Sequence, residues 1–91
     1  MFANKTTDGR NNRCGKVIEQ RRKELGKSQR QLADLLQIAG LDIDKNAIQR
    51  IEAGKRFVTD IELVFLSQVL QLPYEALLDH ETNHKQMPPA K

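Results

Sequence analysis

The chain has 91 residues, of which 38% are hydrophobic and only 4% aromatic, and its net charge is +3. This length allows one small domain, and the scarcity of aromatic residues favours packed aliphatic helices over an aromatic-rich β-sandwich. No apolar run is long enough for a membrane span or a signal-peptide core. The single Cys14 excludes an internal disulfide and fits a reducing cytoplasm.

The charge is unevenly distributed along the chain. Residues 1–56 carry 13 Lys or Arg against 7 Asp or Glu, whereas residues 57–91 carry 2 against 5. A basic first part suggests an anionic partner such as nucleic acid. On charge alone, a solvated basic surface without such a partner remains the alternative.

Polar stretches flank the predicted ordered body. Residues 1–11 show no periodicity and are expected to be a flexible arm, and residues 80–91, with their Pro-Pro pair, a flexible tail. Between them, residues 12–79 show helical periodicity without sustained alternation of polar and apolar positions. The sequence therefore predicts an all-α domain without a sheet.

The first two helices have clear boundaries in the sequence. The first is expected over about 13–25, and Gly26 stops it. Ser28 and Gln31 form a predicted capping box at the start of the second helix, which Gly40 ends. Its buried stripe consists of Leu32, Leu35 and Leu36.

The third helix is short. Asp44 is its predicted cap, Ile48 and Ile51 face the core, and Gly54 stops it.

A fourth helix starts at Thr59, where Glu62 completes a second capping box, and runs to about Gln71. A fifth helix begins at Pro73, a residue suited to a helix start.

Two segments carry a family resemblance. VIEQRRKELGKSQRQLADLLQ, followed by NAIQRIEAGKR, resembles the Xre/Cro family, whose DNA-binding domain is shared with lambdoid phage repressors. The resemblance covers about residues 15–78 and rests on the RR pair, the SQxxLA element at 28–33 and IxxIExGKR at 48–56. It implies a five-helix lambda repressor-like fold with the helix-turn-helix in helices 2 and 3, and a cytoplasmic protein of bacterial, phage or mobile-element origin.

The chain departs from this family in the connection before the third helix. Seven residues, QIAGLDI at 37–43, separate the last Leu of the second helix from Asp44, where family members usually have about two. Either the second helix runs a turn longer, or the turn bulges. The answer sets the angle at which the third helix would meet DNA.

The resemblance assigns DNA-reading roles to the third helix. That helix would lie in the major groove with its N-terminal residues at base edges. Asn and Gln fit adenine, and Lys and Arg fit guanine. The expected base-reading residues are Lys45, Asn46, Gln49 and Arg50. Arg50 has a second possible role as a phosphate contact or as the partner of an acidic neighbour, and outside the motif all four would be an ordinary solvated helix face.

The same resemblance assigns residues around this helix to phosphate contacts and to an ion pair. The expected phosphate contacts are Ser28, Gln29, Arg30, Lys55 and Arg56, with Lys27 as a plausible addition. Free N–H groups at the start of the second helix favour an anion there. Arg22 and Glu52 match a pair that joins the first helix to the end of the third, and we expect a partly buried structural ion pair.

The fourth helix is too apolar for a single buried face. Leu63, Leu66 and Leu70 form the predicted core face, and Ile61, Phe65 and Val69 form a second stripe. Since family members often bind twofold operators as dimers, we expect a homodimer through Phe65, Val69 and the region of Tyr74. The alternative is that the fifth helix and the tail cover this stripe within one chain.

The function expected from these features is sequence-specific binding of a double-stranded DNA operator by a transcriptional regulator, acting as a repressor. The alternative is an antitoxin or interaction adaptor on the same fold, for which only residues 80–91 could supply a toxin-binding segment. No catalytic triad, metal-ligand spacing or phosphate-binding glycine loop is present in the sequence. His80 and His84 lie in a polar tail, so we expect no enzyme, cofactor, metal or small-molecule ligand.

Overall fold

A computed structural model describes residues 5–78 of the chain. In that range the chain forms five helices: α1 (Gly15–Glu24), α2 (Gln29–Ala39), α3 (Lys45–Glu52), α4 (Asp60–Leu70) and α5 (Tyr74–Leu78). No strand occurs among them, which confirms the predicted all-α fold. None of these helices is long and apolar enough to cross a membrane. The predicted tail, with its two histidines, lies outside the described residues.

Side-chain caps set the helix boundaries that the sequence predicted. Ser28 Oγ accepts a hydrogen bond from the Gln31 N–H at 3.0 Å, and Gln31 Oε1 accepts one from the Ser28 N–H at 2.8 Å. Thr59 and Glu62 form the same reciprocal box at the start of α4. At the start of α3, Asp44 Oδ1 accepts a hydrogen bond from the Ala47 N–H at 2.8 Å. Each such cap contributes about 0.5–2 kcal/mol to stability.

The connection from α2 to α3 adopts the first of the two predicted alternatives. α2 continues to Ala39, and Gly40 ends it with a left-handed φ of 116°. The Leu41 N–H donates to the Leu36 carbonyl at 2.9 Å, which closes the helix end. Gln37 Nε2 then donates to the carbonyl of the buried Ile43 at 2.7 Å. The connection is therefore anchored at both ends, and it holds the start of α3 in one place.

A single aliphatic core joins all five helices. The residues without exposed surface include Ile18 of α1, Leu36 of α2, Ile48 and Ile51 of α3, Leu66 of α4 and Leu77 of α5. Burying one such side chain contributes about 1.5–3 kcal/mol. Because α3 buries both of its isoleucines, its rotation about its own axis is fixed and its polar face must point away from the core.

Cys14 belongs to this core. Its side chain is 2% exposed, and burial raises the pKa of the Cys14 thiol to about 11. The thiol therefore stays protonated at neutral pH and packs as a small apolar side chain.

α4 is apolar on two sides, as expected, and its own chain covers part of the second side. Leu66 is fully buried, and Phe65 and Val69 are half-buried against the core. Ile61 and Val64 are 66% and 40% exposed. The ring of Phe65 lies over the end of α2, beside Gly40. The exposed apolar surface of α4 is therefore centred on Ile61 and Val64.

Candidate nucleic-acid interface

The exposed face of α3 carries the four predicted base-reading residues. All four side chains (Lys45, Asn46, Gln49 and Arg50) are exposed, whereas Ile48 and Ile51 are buried. Within residues 5–78, none of the four side chains is committed to a hydrogen bond or an ion pair. Their donors and acceptors are therefore free to meet groups outside the protein, as base-edge recognition requires.

A groove of about 300 Å³ runs beside this face, between α2 and the start of α3. It is lined by Arg30, Ala33, Asp34, Gln37, Asp44 and Lys45. Arg30 and Lys45 border it with positive charge, and Asp34 contributes an exposed carboxylate. A carboxylate can accept a hydrogen bond from cytosine N4. Asp34 is thus a further candidate for base contact, which the sequence did not single out because it lies on α2.

The three predicted phosphate contacts at the start of α2 do not all face the solvent. Ser28 and Arg30 are exposed, and the Ser28 side chain is used in the capping box. Gln29 instead turns towards the protein, where its Nε2 donates to Glu52 Oε1 at 2.9 Å. The amide of Gln29 therefore braces α3 in this structure. The capping box uses the N–H groups of Ser28 and Gln31, so the backbone N–H groups of Gln29 and Arg30 remain as the anion-binding element.

Lys55 and Arg56, which follow α3, also differ from each other. Lys55 is exposed, and in the described part of the chain its ammonium group has no acidic partner. Arg56 makes a two-pronged pair with Glu62, at 3.0 Å from Nη1 to Oε1 and 2.9 Å from Nη2 to Oε2. Hydrogen bonding to Glu62 raises the pKa of Arg56 above its ordinary value, and hydrogen bonding to Arg56 lowers the pKa of Glu62. Much of the charge of Arg56 is neutralised within the protein.

Arg22 and Glu52 form the ion pair that the resemblance implied, and it lies deeper than expected. Arg22 Nε donates to Glu52 Oε2 at 2.7 Å and Nη2 donates to Oε1 at 3.0 Å, with the residues only 8% and 6% exposed. Arg22 Nη1 also donates to the Lys27 carbonyl at 2.8 Å. Hydrogen bonding to Glu52 raises the pKa of Arg22. The pair joins α1, the start of α2 and the end of α3.

The segment before α1 reaches the other side of α3. Arg10, Asn11 and Asn12 donate side-chain hydrogen bonds to backbone carbonyls between Ile51 and Arg56. Residues 1–11 were expected to be a flexible arm, and these contacts were not predicted. The asparagine pair before the helix was the one available signal, since Asn side chains often bond to backbone groups at helix ends.

Comparisons with known proteins place this geometry in a family. The sequence profile of a helix-turn-helix family matches residues 18–77. Among curated proteins, no sequence matches significantly.

Three solved structures are similar in fold. The P22 c2 repressor in complex with a synthetic operator is 26% identical, covers 75% of this chain and 96% of its own, and has a TM-score of 0.65. The restriction-modification controller protein C.AhdI from Aeromonas hydrophila is 25% identical over 70% and 86%, with a TM-score of 0.61. The SinR–SinI complex is 28% identical over 84% and 68%, with a TM-score of 0.63. The profile match over most of the chain, together with the capped α2–α3 unit, establishes that this chain belongs to the Xre-type, lambda repressor-like helix-turn-helix family.

Proposed function

We propose that the chain is a DNA-binding transcriptional regulator that reads an operator in the major groove with α3 and acts as a repressor. The observation that carries this proposal is the polar face of α3. Lys45, Asn46, Gln49 and Arg50 are exposed and uncommitted on a helix that the core and a buried ion pair hold rigidly. The P22 c2 repressor, which has this fold, was solved with an operator, and that adds support.

The contacts divide the predicted phosphate-contacting residues into two groups. Ser28, Arg30 and Lys55 are exposed at the two ends of the helix-turn-helix, and we assign them to phosphates. Gln29 and Arg56 have protein partners, so each would have to leave a carboxylate before it contacted DNA. Such an exchange recovers little free energy, because one ionic hydrogen bond replaces another. We therefore expect both to contribute less than Lys55.

Selection of bound DNA from a random double-stranded pool tests this proposal. The wild type should enrich one sequence, and Asn46→Ala should relax preference at one or two base pairs, each worth about 1–3 kcal/mol. Lys55→Ala should weaken all sites alike and reduce the salt dependence of binding by about one released counterion. If the wild type enriches no sequence, sequence-specific reading by α3 is refuted.

We also propose that the chain acts as a homodimer, through Phe65, Val69 and Tyr74. Half of the Tyr74 surface is exposed, and Ile61 and Val64 extend the apolar surface along α4. A dimer would present two copies of α3 to a twofold operator, and it would cover apolar surface that a monomer leaves in water. Sedimentation equilibrium should give twice the chain mass. A monomer at concentrations well above those that saturate DNA would refute the dimer.

A protein partner is the second candidate occupant of this apolar surface. The SinR–SinI structure is a complex of two different proteins, and its similarity to this chain favours testing the possibility. An antitoxin or adaptor would bind its partner without needing the polar face of α3. The selection experiment separates the two functions, because an adaptor that had lost DNA reading would enrich no sequence.

A further inference from the structure

The C-terminal end of α3 is held from outside by a short segment that precedes α1. This segment, residues 10–12, lies outside the span 18–77 that the family profile matches. The last carbonyls of any helix lack partners within the helix and must find them elsewhere. Here the N-terminal segment supplies those partners, and we call it the α3 clamp.

The clamp makes hydrogen bonds to five backbone carbonyls. Arg10 Nη2 donates to the Glu52 carbonyl at 2.8 Å, and the N–H of Asn11 donates to the Gly54 carbonyl at 2.8 Å. Asn11 Nδ2 donates to the carbonyl of Lys55 at 3.1 Å. The carbonyls of Ile51 and Arg56 accept from Asn12 Nδ2 at 3.0 and 2.8 Å. The clamp therefore holds both the end of α3 and the turn that carries Lys55.

Asn12 also ties the clamp to α1. It is 7% exposed, and its Oδ1 accepts from the Gly15 N–H at 2.9 Å. A Cβ on Gly15 would lie only 2.2 Å from the Ile51 carbonyl oxygen, so only glycine allows α1 to begin so close to α3.

The Arg10 side chain fits against a second glycine. Gly54 has a φ of 80°, and a Cβ there would lie 2.7 Å from Arg10 Cζ. The Arg10 side chain therefore lies close against the turn, with its positive charge at the negative end of the α3 dipole. This close fit and the number of carbonyls engaged distinguish the clamp from a chance surface contact.

We propose that Arg10, Asn11 and Asn12 are positioning residues for DNA reading. They fix the end of α3 and the distance of Lys55 from the DNA. This inference rests on the proposed function. α3 has eight residues, and a helix this short frays without external contacts. Asp44 and the core fix its start, and the clamp fixes its end. A rigid reading helix loses less conformational entropy when it binds DNA, so the clamp increases affinity without touching a base.

A double-mutant cycle between Asn11 and Lys55 tests the inference without changing charge at the clamp. Asn11→Ala removes the hydrogen bond to the Lys55 carbonyl and the exposed one that Asn11 Oδ1 accepts from Lys5 Nζ at 2.8 Å. It should weaken operator binding about threefold to tenfold. In a Lys55→Ala background the same change should weaken binding less than it does in the wild type, because the part of its effect that passes through Lys55 is gone. A role only in overall stability would give equal weakening in both backgrounds. Thermal unfolding of each variant verifies that it is folded at the assay temperature.

Arg10→Lys provides a charge-conserving companion variant. It retains the positive charge and loses the planar fork that lies against Gly54. We expect weaker operator binding with an unchanged salt slope. Lys23→Ala, an exposed change on α1 away from α3, is the control and should bind nearly as the wild type does.

Hydrogen exchange on the free protein gives a readout that does not depend on DNA. The amides of residues 53–55 donate within the end of α3 and its turn, and they should exchange faster in Asn11→Ala and Arg10→Lys, with α2 amides unchanged. Unchanged exchange at residues 53–55, or additive effects in the cycle, would overturn the inference while the proposed function stands. If the wild type selects no DNA, the proposed function fails and the positioning role fails with it, whereas the exchange data would still show the clamp.

Discussion

The buried pair of Arg22 and Glu52 leads to the strongest stability prediction. Glu52 accepts two hydrogen bonds from Arg22 and one from Gln29, and both charged residues are more than nine-tenths buried. Arg22→Ala leaves the carboxylate with the Gln29 amide alone, and it leaves the Lys27 carbonyl without its donor. Breaking a buried pair in this way costs about 3–5 kcal/mol. A small domain has only about 5–15 kcal/mol of stability, so the variant should be close to unfolding.

Lys23→Ala is the matched control, one residue along the same helix turn. Lys23 pairs with Glu19 at 3.0 Å, but its side chain is 63% exposed. Exposed pairs of this kind contribute about 0–1 kcal/mol, because water and side-chain entropy offset the attraction. Both substitutions remove one positive charge and introduce the same helix-favouring residue. The difference between them therefore isolates burial.

Urea unfolding followed by far-ultraviolet circular dichroism measures both variants. Glu52→Gln, which retains the side-chain volume, gives an intermediate case if Arg22→Ala is too unstable for a folded baseline. Raising the salt concentration should reduce the small Lys23 effect and leave the Arg22 effect largely intact, because buried charges are poorly screened. If Arg22→Ala and Lys23→Ala differ by less than about 1 kcal/mol, the pair does not hold α3 and the reasoning is refuted.

Three further predictions concern α4 and its contact with Arg56. The pKa of Glu62 lies below its usual range because Arg56 donates hydrogen bonds to it. The stability from this pair is therefore present above about pH 4.3 and is lost as the pH falls further. Glu62→Gln should flatten the acid unfolding curve in that range. The same substitution releases Arg56, so it should steepen the salt dependence of DNA binding by up to about one counterion, and an unchanged slope would place Arg56 away from the phosphates. Gln71 ends α4 with a φ of 57°, a conformation that favours glycine. Gln71→Gly should stabilise the protein by about 1 kcal/mol, whereas Gln68→Gly, at an exposed position inside α4, should destabilise it by about 1 kcal/mol, as thermal unfolding would measure.

The sequence by itself determined the helices and the polar face of α3. Ser28 with Gln31, and Thr59 with Glu62, mark helix starts because their hydrogen bonds span three residues and need no distant partner. The spacing of Ile48 and Ile51 likewise fixes which side of α3 faces water, since helical periodicity is local. These features, with the family resemblance, were enough to predict the fold and the residues on the exposed face of α3.

Only the tertiary structure decided how the remaining polar residues are used. Gln29 and Arg56 both matched phosphate-contacting positions, yet each has a carboxylate partner in the folded chain, Glu52 and Glu62. The Asn12 contacts cross 39 and 44 residues of sequence, and a polar stretch gives no sign of such partners. The type of a basic or amide side chain leaves several acceptors possible, and the packing of the folded chain selects one of them. The sequence therefore specified a short helix with an exposed polar face, and the folded chain determined what holds each end of it.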